Sequence, residues 1–395
     1  DSLKAADTYL AVAVIGGLTA LMGIFIINSK LGTVNISELY SAATACPDKG
    51  ALYAAGLCML FGFGAKAGMF PLHIWLPKAH PVAPAPASAL LSGILTKAGI
   101  FGILAVSCNI FRYDPRWGTV VLILGTITMV LGALLALFSI DLKRTLACSS
   151  ISQIGFILVG IGMMSLLGQD NSLAARGTFL HMVNHSMLKL CLFMAAGAVF
   201  MNIHELDLNK IRGFGRKKPF LNVVFLIGAL GIGGIPLFNG YVSKTLLHES
   251  IIQYTEVLLQ AGEPIAAMKI VEWLFLISGG LTIIYMTKLY VAIFIEKNPD
   301  RQAEYDGMKN WIKPSSALAL GAAALGILVL GIAPNYINDG IAGMGMDFFG
   351  SSMGAETFSY FSFESMEGTI ICVFIAAILY PVVVRGLLMK KIRLG

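Results

Sequence analysis

Hydrophobic residues along this chain gather into ten long blocks, near 6–28, 51–70, 84–107, 117–138, 145–167, 177–201, 220–256, 268–296, 315–335 and 368–389. A helix needs about 20 apolar residues to cross a hydrocarbon core about 30 Å thick. The short alternating strands of a membrane β-barrel have no counterpart here. The pattern therefore predicts an all-α polytopic membrane protein with about ten transmembrane segments. The seventh block is too long for one simple span and is interrupted by GIGGIP, Gly231 to Pro236, so it reads as a helix broken in mid-membrane. The third begins with APAPAS and carries Gly93 and Gly99 on either side of Lys97, which marks a second discontinuity. Broken helices are tolerated within a bilayer where they line a cavity or a pathway.

Composition agrees. Of 395 residues, 57% are hydrophobic and 13% charged, against about 25% charged in an ordinary soluble domain. The six cysteines, Cys46, Cys58, Cys108, Cys148, Cys191 and Cys372, form no C-x-x-C pair, which argues against an iron–sulfur or zinc site. No Gly-rich phosphate loop or dinucleotide fingerprint appears, so no cofactor is expected, and a redox centre would have to lie elsewhere. The net charge of +6 reflects topology rather than nucleic-acid binding. Seventeen of the 28 Lys and Arg lie before the first segment or after the even ones, and five after the odd ones. Positive residues accumulate on the cytoplasmic side, which puts both ends of the chain there. The strongest anchor is HELDLNKIRGFGRKKP, His204 to Pro219, which reads either as a pure topology signal or as a docking surface.

Six lysines remain inside the blocks: Lys66, Lys97, Lys189, Lys244, Lys269 and Lys288. Lys269 is at a segment edge, and Lys288 lies near enough to an end to snorkel. The other four are deeper, and none of the 22 acids falls deep in a segment; Asp7, Asp141 and Glu272 stand at edges. Burial disfavours the charged form of a lysine, so four buried bases without a buried acid suggest groups that exchange protons. His181, His185 and Lys189 follow at intervals of four and share one helix face. The histidine pair is half of a zinc site, but no third ligand at suitable spacing is visible, so relay is the better reading and no metal is expected. His248 lies one turn beyond Lys244 and continues the path outward. His73 and His80, in PLHIWLPKAHP, are expected near the cytoplasmic interface with Trp75 as a belt residue, either taking up protons or hydrogen-bonding a helix end. Ser149, Ser150, Ser152 and Gln153 are polar enough to hold water between segments, although small residues also serve helix packing.

KAGMFPLHIWLPKAHPVAPAPASALLSGILTKAG, DLKRTLACSSISQIGF, HMVNHSMLKLCLFMAAG and GGIPLFNGYVSK occur in that order. Together they resemble the antiporter-like subunits of respiratory complex I, of membrane-bound hydrogenases and of Mrp-type cation/proton antiporters, over roughly residues 6 to 335. The resemblance implies two inverted repeats, each with a broken helix and a lysine-bearing partner helix. By position, Lys66 matches the lysine of the first half-channel and Lys97 the central residue on the first broken helix. Lys189 and His185 match the connecting helix, and Lys244 the terminal residue on the second broken helix. Family members have further helices ahead of the point where this chain starts, one bearing a glutamate that pairs with the residue matching Lys66. The first residue here is Asp1, so the chain is expected to be a fragment or to be completed by a separate polypeptide.

These readings predict an antiporter-like core over 1–335 with its first repeat incomplete, a linker over 336–367, and a C-terminal helix with a basic tail over 368–395. The implied function is proton translocation in a complex I-like or hydrogenase-like redox-driven pump, in the plasma membrane of a prokaryote. Protons would move through Lys66, Lys97, His181, His185, Lys189, Lys244 and His248. The implied partners are other membrane subunits, one of which, or a missing segment, supplies the glutamate, and peripheral iron–sulfur or hydrogenase subunits. Membership of an Mrp-type Na+/H+ antiporter without redox partner, and a structural membrane scaffold, are the alternatives.

Overall fold

The computed structural model describes residues 2–353 and 358–388; the expected basic tail beyond Leu388 lies outside the described residues. The chain forms α1 (Ser2–Leu31), α2 (Ile36–Ala45), α3 (Lys49–Ala67), α4 (Trp75–Val82), α5 (Ala85–Leu90), α6 (Thr96–Asn109), α7 (Pro115–Phe138), α8 (Leu142–Leu167) and α9 (Ser172–Ile203). It continues through α10 (Leu208–Ile211), α11 (Pro219–Gly233), α12 (Asn239–Gln260), α13 (Ala266–Tyr290), α14 (Gln302–Gly307), α15 (Pro314–Ile332), α16 (Pro334–Gly343), α17 (Met346–Phe349) and α18 (Phe363–Leu379). Nine helical stretches are long and apolar enough to cross a membrane among the described residues. The remaining expected segment, 220–256, is the shorter apolar α11 followed by α12. All-α polytopic architecture is thus what the ten apolar blocks produce.

Close helix contact comes from glycines. Gly118, Gly125 and Gly132 recur every seven residues along α7 and face α8, whose Gly155 and Gly162 face back. A Cβ built on Gly155 would lie 2.2 Å from Met129 N, and one on Gly132 2.3 Å from Ser152 N. The backbones touch because nothing intervenes, which is how helices associate where lipid removes the hydrophobic drive. The same device joins α1 to α3, through Gly16 against Ala65 and Gly62 against Ala20. As a result α8 is buried over nearly its whole length at the centre of the molecule.

Both expected discontinuities occur, in different forms. α11 ends at Gly234, which adopts left-handed φ +77° and closes the helix with Gly234 N to Gly231 O (3.0 Å) and Ile235 N to Leu230 O (3.1 Å). α12 restarts five residues later, and Gly240 is packed against Gly231 so tightly that a side chain there would collide with its carbonyl. The other is milder: five residues of wider π-helix, Leu91–Leu95, separate α5 from α6. The stretch 336–367, expected as a linker, contributes helices α16 and α17, and Ala342, Met346, Phe349 and Tyr360 join the core. Arg176 of α9 is buried against Asp339 of α16 (2.5 Å), and Tyr360 Oη donates to the same carboxylate (2.8 Å).

Removing one partner of a buried ion pair costs about 3–5 kcal/mol, so Arg176→Ala is expected to lower the thermal midpoint of the detergent-purified protein sharply. Gly155→Val is expected to prevent α7 and α8 from closing, read as loss of folded protein in the membrane fraction; a normal yield would show that the glycine contact is dispensable.

Candidate functional site

An ammonium in a hydrocarbon interior needs oxygens or nitrogens to donate to, and the helix breaks supply them. The Lys97 side chain opens α6 immediately after the π segment, and its Nζ donates to the Ser92 carbonyl at 2.7 Å. Its other contact is His185 Nδ1, also at 2.7 Å. Lys244 Nζ donates to Ile232 O at 2.8 Å, one of the carbonyls left over at the C-terminal end of α11. That end carries the negative pole of the helix dipole, which favours a cation. Lys244 also sits over the Phe156 ring, 4.7 Å from its centroid. Lys189 Nζ donates to Leu146 O (2.8 Å) and Ser149 Oγ (2.7 Å) on α8.

The histidines of α9 lie between these amines. His181 and His185 present parallel rings with centroids 6.3 Å apart. His181 Nδ1 lies 2.9 Å from Ser243 Oγ, next in sequence to Lys244, and its Nε2 lies 3.0 Å from Gln153 Oε1. Asn184 Nδ2 bridges to Asn239 O (2.8 Å) and Ser243 Oγ (3.3 Å) at the start of α12. Ser150 of α8 meets Ser92 at 2.6 Å, joining the seam to the π segment. Lys97, His185, His181, Ser243 and Lys244 therefore form one buried polar band across α6, α9 and α12, with α8 as its backing. Ser152 Oγ, Gln153 Nε2, His185 Nε2, Asn239 Nδ2 and Tyr285 Oη in or beside it have no protein partner; buried groups of this kind are ordinarily satisfied by water. Among the described residues, no carboxylate forms an ion pair with Lys97, Lys189 or Lys244, whose polar contacts are carbonyls, a hydroxyl and an imidazole.

Other expected residues lie apart from this band. Lys66 is exposed at the last turn of α3, beside a surface cavity lined by Tyr9, Val12 and Trp75. The backbone of its neighbours Phe63 and Ala67 packs against Gly99 of α6, while the lysine lies on the flank of α3 that lines this cavity with Tyr9 and Val12 of α1. Trp75 is not a belt residue: it is buried, and its indole N–H donates to Ala65 O at 2.8 Å. Of the two histidines expected near the interface, His73 is half-buried. His80 instead lies wholly buried, stacked 4.6 Å over Phe193 of α9, with neither ring nitrogen partnered. α4 packs inward between α1 and α8, which carries His80 away from the surface. Lys143, between the fourth and fifth apolar blocks, is also buried and donates to Ala83 O at 2.8 Å. His248 stacks on Phe275 (5.8 Å), and its Nε2 lies 3.7 Å from Glu272 Oε1. Glu272 stands at a segment edge in the sequence, and nothing in that position signals its contact with the band's outer end. Asn184, Asn239 and Ser243 escape sequence reasoning too, although Asn184 lies on the same helix as the histidines, next to His185.

The profile described as NADH:quinone oxidoreductase/Mrp antiporter, TM, matches residues 1–264. The chain belongs to this family. Curated relatives include hydrogenase-4 component B of Escherichia coli K12, 35% identical over 304 residues, which covers 74% of this chain and 44% of the relative. Formate hydrogenlyase subunit 3 of the same organism is 30% identical over 308 residues, 76% of this chain and 50% of the relative. A Na(+)/H(+) antiporter subunit of Alkalihalophilus pseudofirmus is 32% identical over 308 residues, 77% and 58% respectively. The chain thus spans about half the length of the curated relatives it matches. Its fold is similar to a chain of the Mrp complex from Dietzia sp. DQ12-45-1b, with TM-score 0.75, 23% identity and coverage of 88% of this chain and 68% of that one. A chain of the archaeal membrane-bound sulfane sulfur reductase aligns with TM-score 0.73 and 24% identity, covering 88% and 66%. Antiporter-like fold and membership, as the four motifs implied, are both present.

One intramembrane lysine of this family member is structural. The Lys288 Nζ caps the end of α7, donating to Ala136 O (3.1 Å), Leu137 O (2.7 Å) and Ser139 O (2.6 Å). Lys288→Met leaves those carbonyls without a donor and is expected to cost about 1–3 kcal/mol. The check is a lowered thermal midpoint of the protein purified in detergent.

Proposed function

We propose that this chain is a proton-translocating membrane subunit of a redox-driven assembly of the complex I or membrane-bound hydrogenase type. The observation that supports it is the pairing of Lys97 with His185 inside a buried band that reaches Lys244 without a carboxylate partner. A lysine held only by neutral acceptors has its proton affinity set by burial and by the charge state of its neighbours. Protonation at Lys97 therefore disfavours protonation at Lys189 and Lys244, and a proton arriving at one end promotes release at the other. Lys97, His185, His181, Lys189 and Lys244 carry this relay, with His248 at its outward end. Lys66 would feed it from the α3 side, where the carboxylate and the connecting groups would come from outside the described residues. The basic connections, the loop from His204 to Pro219 foremost, and both ends of the chain would face the cytoplasm of a prokaryotic cell. The partners would be other membrane subunits together with peripheral iron–sulfur or hydrogenase subunits, as the names of the hydrogenase-4 and formate hydrogenlyase relatives suggest. H+ is favoured over Na+ as the ion in the band, because its amines and imidazoles take up and release protons and its lysines have no carboxylate partner to balance a bound metal cation.

The relative named as part of a Na(+)/H(+) antiporter supports a second reading, in which an ion gradient drives an Mrp-type assembly. Composition of the purified assembly separates the two. An iron–sulfur or nickel-bearing subunit is expected, and an assembly without one would favour the antiporter. In vesicles containing the intact assembly, Lys97→Ala and Lys244→Ala are each expected to reduce proton translocation by about a hundredfold, as loss of a positioned proton-transfer group does. Unchanged translocation in both would leave a structural scaffold as the role of this chain.

A further inference from the structure

The family match ends at residue 264, short of Glu272, Phe275 and α18, which stand beyond Lys244 and His248. A chamber of about 30 Å³ lies against Lys244, bounded by His248, Phe275, Gly368, Thr369 and Cys372. A water needs about 10–15 Å³ of such space, so the chamber holds about two. α18 forms its outer side and reaches it only because residue 368 is glycine: a Cβ there would lie 2.8 Å from His248 Nδ1. The imidazole thus turns Nδ1 towards α18 and the chamber. Its Nε2 is buried, makes no hydrogen bond and points at Glu272 Oε1, 3.7 Å away. Stacking on Phe275 holds the ring plane. The Glu272 carboxylate is partly exposed, with its other oxygen accepting from Lys269 Nζ at 2.9 Å.

This end of α12 is the side away from the basic loops. α11 starts just after the loop from His204 to Pro219, and α12 continues in sequence to the far face, where Gln253 Nε2 donates to Asp170 O in the connection between α8 and α9. Glu364 and Glu367 open α18 near Glu249, the residue next to His248. A proton leaving Lys244 therefore meets groups that accept a cation rather than repel one. Lys269 is the one lysine against Glu272 among the described residues, and it is half-exposed to solvent.

We propose that Glu272 is the terminal proton acceptor of the release limb, a reading that rests on the relay proposed above. The Lys244 ammonium gives its proton to chamber water, which passes it to His248 Nδ1. The imidazolium then releases a proton from Nε2 to Glu272 Oε1, and the carboxyl group loses it to the aqueous face. Each transfer moves one proton; His248 is left as the Nδ1–H tautomer, and a flip of the ring about its Cβ–Cγ bond, with the displaced proton exchanged through chamber water, restores Nε2–H before the next turnover. The 3.7 Å gap is closed by a small side-chain movement of a partly exposed glutamate, and it separates the limb from the aqueous face between turnovers.

The test is made in vesicles carrying the intact assembly. Glu272→Gln keeps the size of the side chain but cannot accept a proton, and is expected to slow translocation at least about tenfold, with water offering partial bypass of a step commonly worth about a hundredfold. Glu272→Asp, which restores the acceptor, is expected to recover most of the rate. Lys269→Gln removes the ion pair but keeps the acceptor, and is expected to cost much less than Glu272→Gln. Wild-type rates in Glu272→Gln would overturn the proposal, as would equal losses in Glu272→Asp and Lys269→Gln, which would make the group an ion-pair support. Should Glu272→Gln fail to assemble, His248→Asn decides: a rate unchanged by it rules the limb out. Loss of translocation in Lys244→Ala together with none in Glu272→Gln would refute this limb while leaving the relay intact.

Discussion

Everything polar in this molecule answers to one constraint: a hydrocarbon surround hydrogen-bonds nothing, so each buried amine must find its acceptors within the protein. Carbonyls inside a regular helix are already used, whereas those at a helix end are free. Three of the intramembrane lysines accordingly sit against ends and interruptions, whereas Lys189, in the middle of α9, donates to Leu146 O and Ser149 Oγ of α8. Lys244 rests on the last turn of α11, Lys97 on the π segment before α6, and Lys288 on the last turn of α7. The broken helices and the buried lysines are thus two aspects of one solution.

Those amines differ in what else they touch, and the difference separates support from chemistry. Lys288 is saturated by three carbonyls and has no titratable neighbour among its hydrogen-bond partners. Lys97 shares its ammonium with an imidazole that is itself parallel to a second imidazole. A group whose partners can themselves take up a proton is suited to transfer; one whose partners cannot is suited to holding a helix in place. The glycine-lined seam between α7 and α8 keeps this arrangement rigid, since α8 backs the band from Ser149 to Gln153.

Much of the site was legible in the sequence because its residues repeat at helical intervals. His181, His185 and Lys189 recur every four residues and do share one face of α9, and GIGGIP does break the seventh block. Lys66 was also legible as an intramembrane lysine, but its direction was not, because the backbone of Phe63 and Ala67 packs against Gly99 while the lysine lies on the flank of α3 that lines a cavity with α1. His80 and Lys143 belong to polar connections in the sequence, and folding draws both inside. The glycine heptads of α7 and α8 were present in the sequence and carried a packing signal that charge and hydropathy alone do not show.

The sequence by itself determined the class of the molecule. A chain this apolar and this poor in charge can satisfy its backbone in lipid only as helices, so ten apolar blocks leave no other architecture. It also determined which helices break, because Gly234 can take the left-handed conformation that ends one. Only the tertiary structure decided which polar groups meet. Lys97 and His185 are 88 residues apart, and His248 and Glu272 belong to different helices. Contacts of that kind depend on how each helix is rotated about its axis and on how closely its neighbours approach. Both are fixed by side-chain volume at the interfaces between helices, and neither can be read from spacing along one of them.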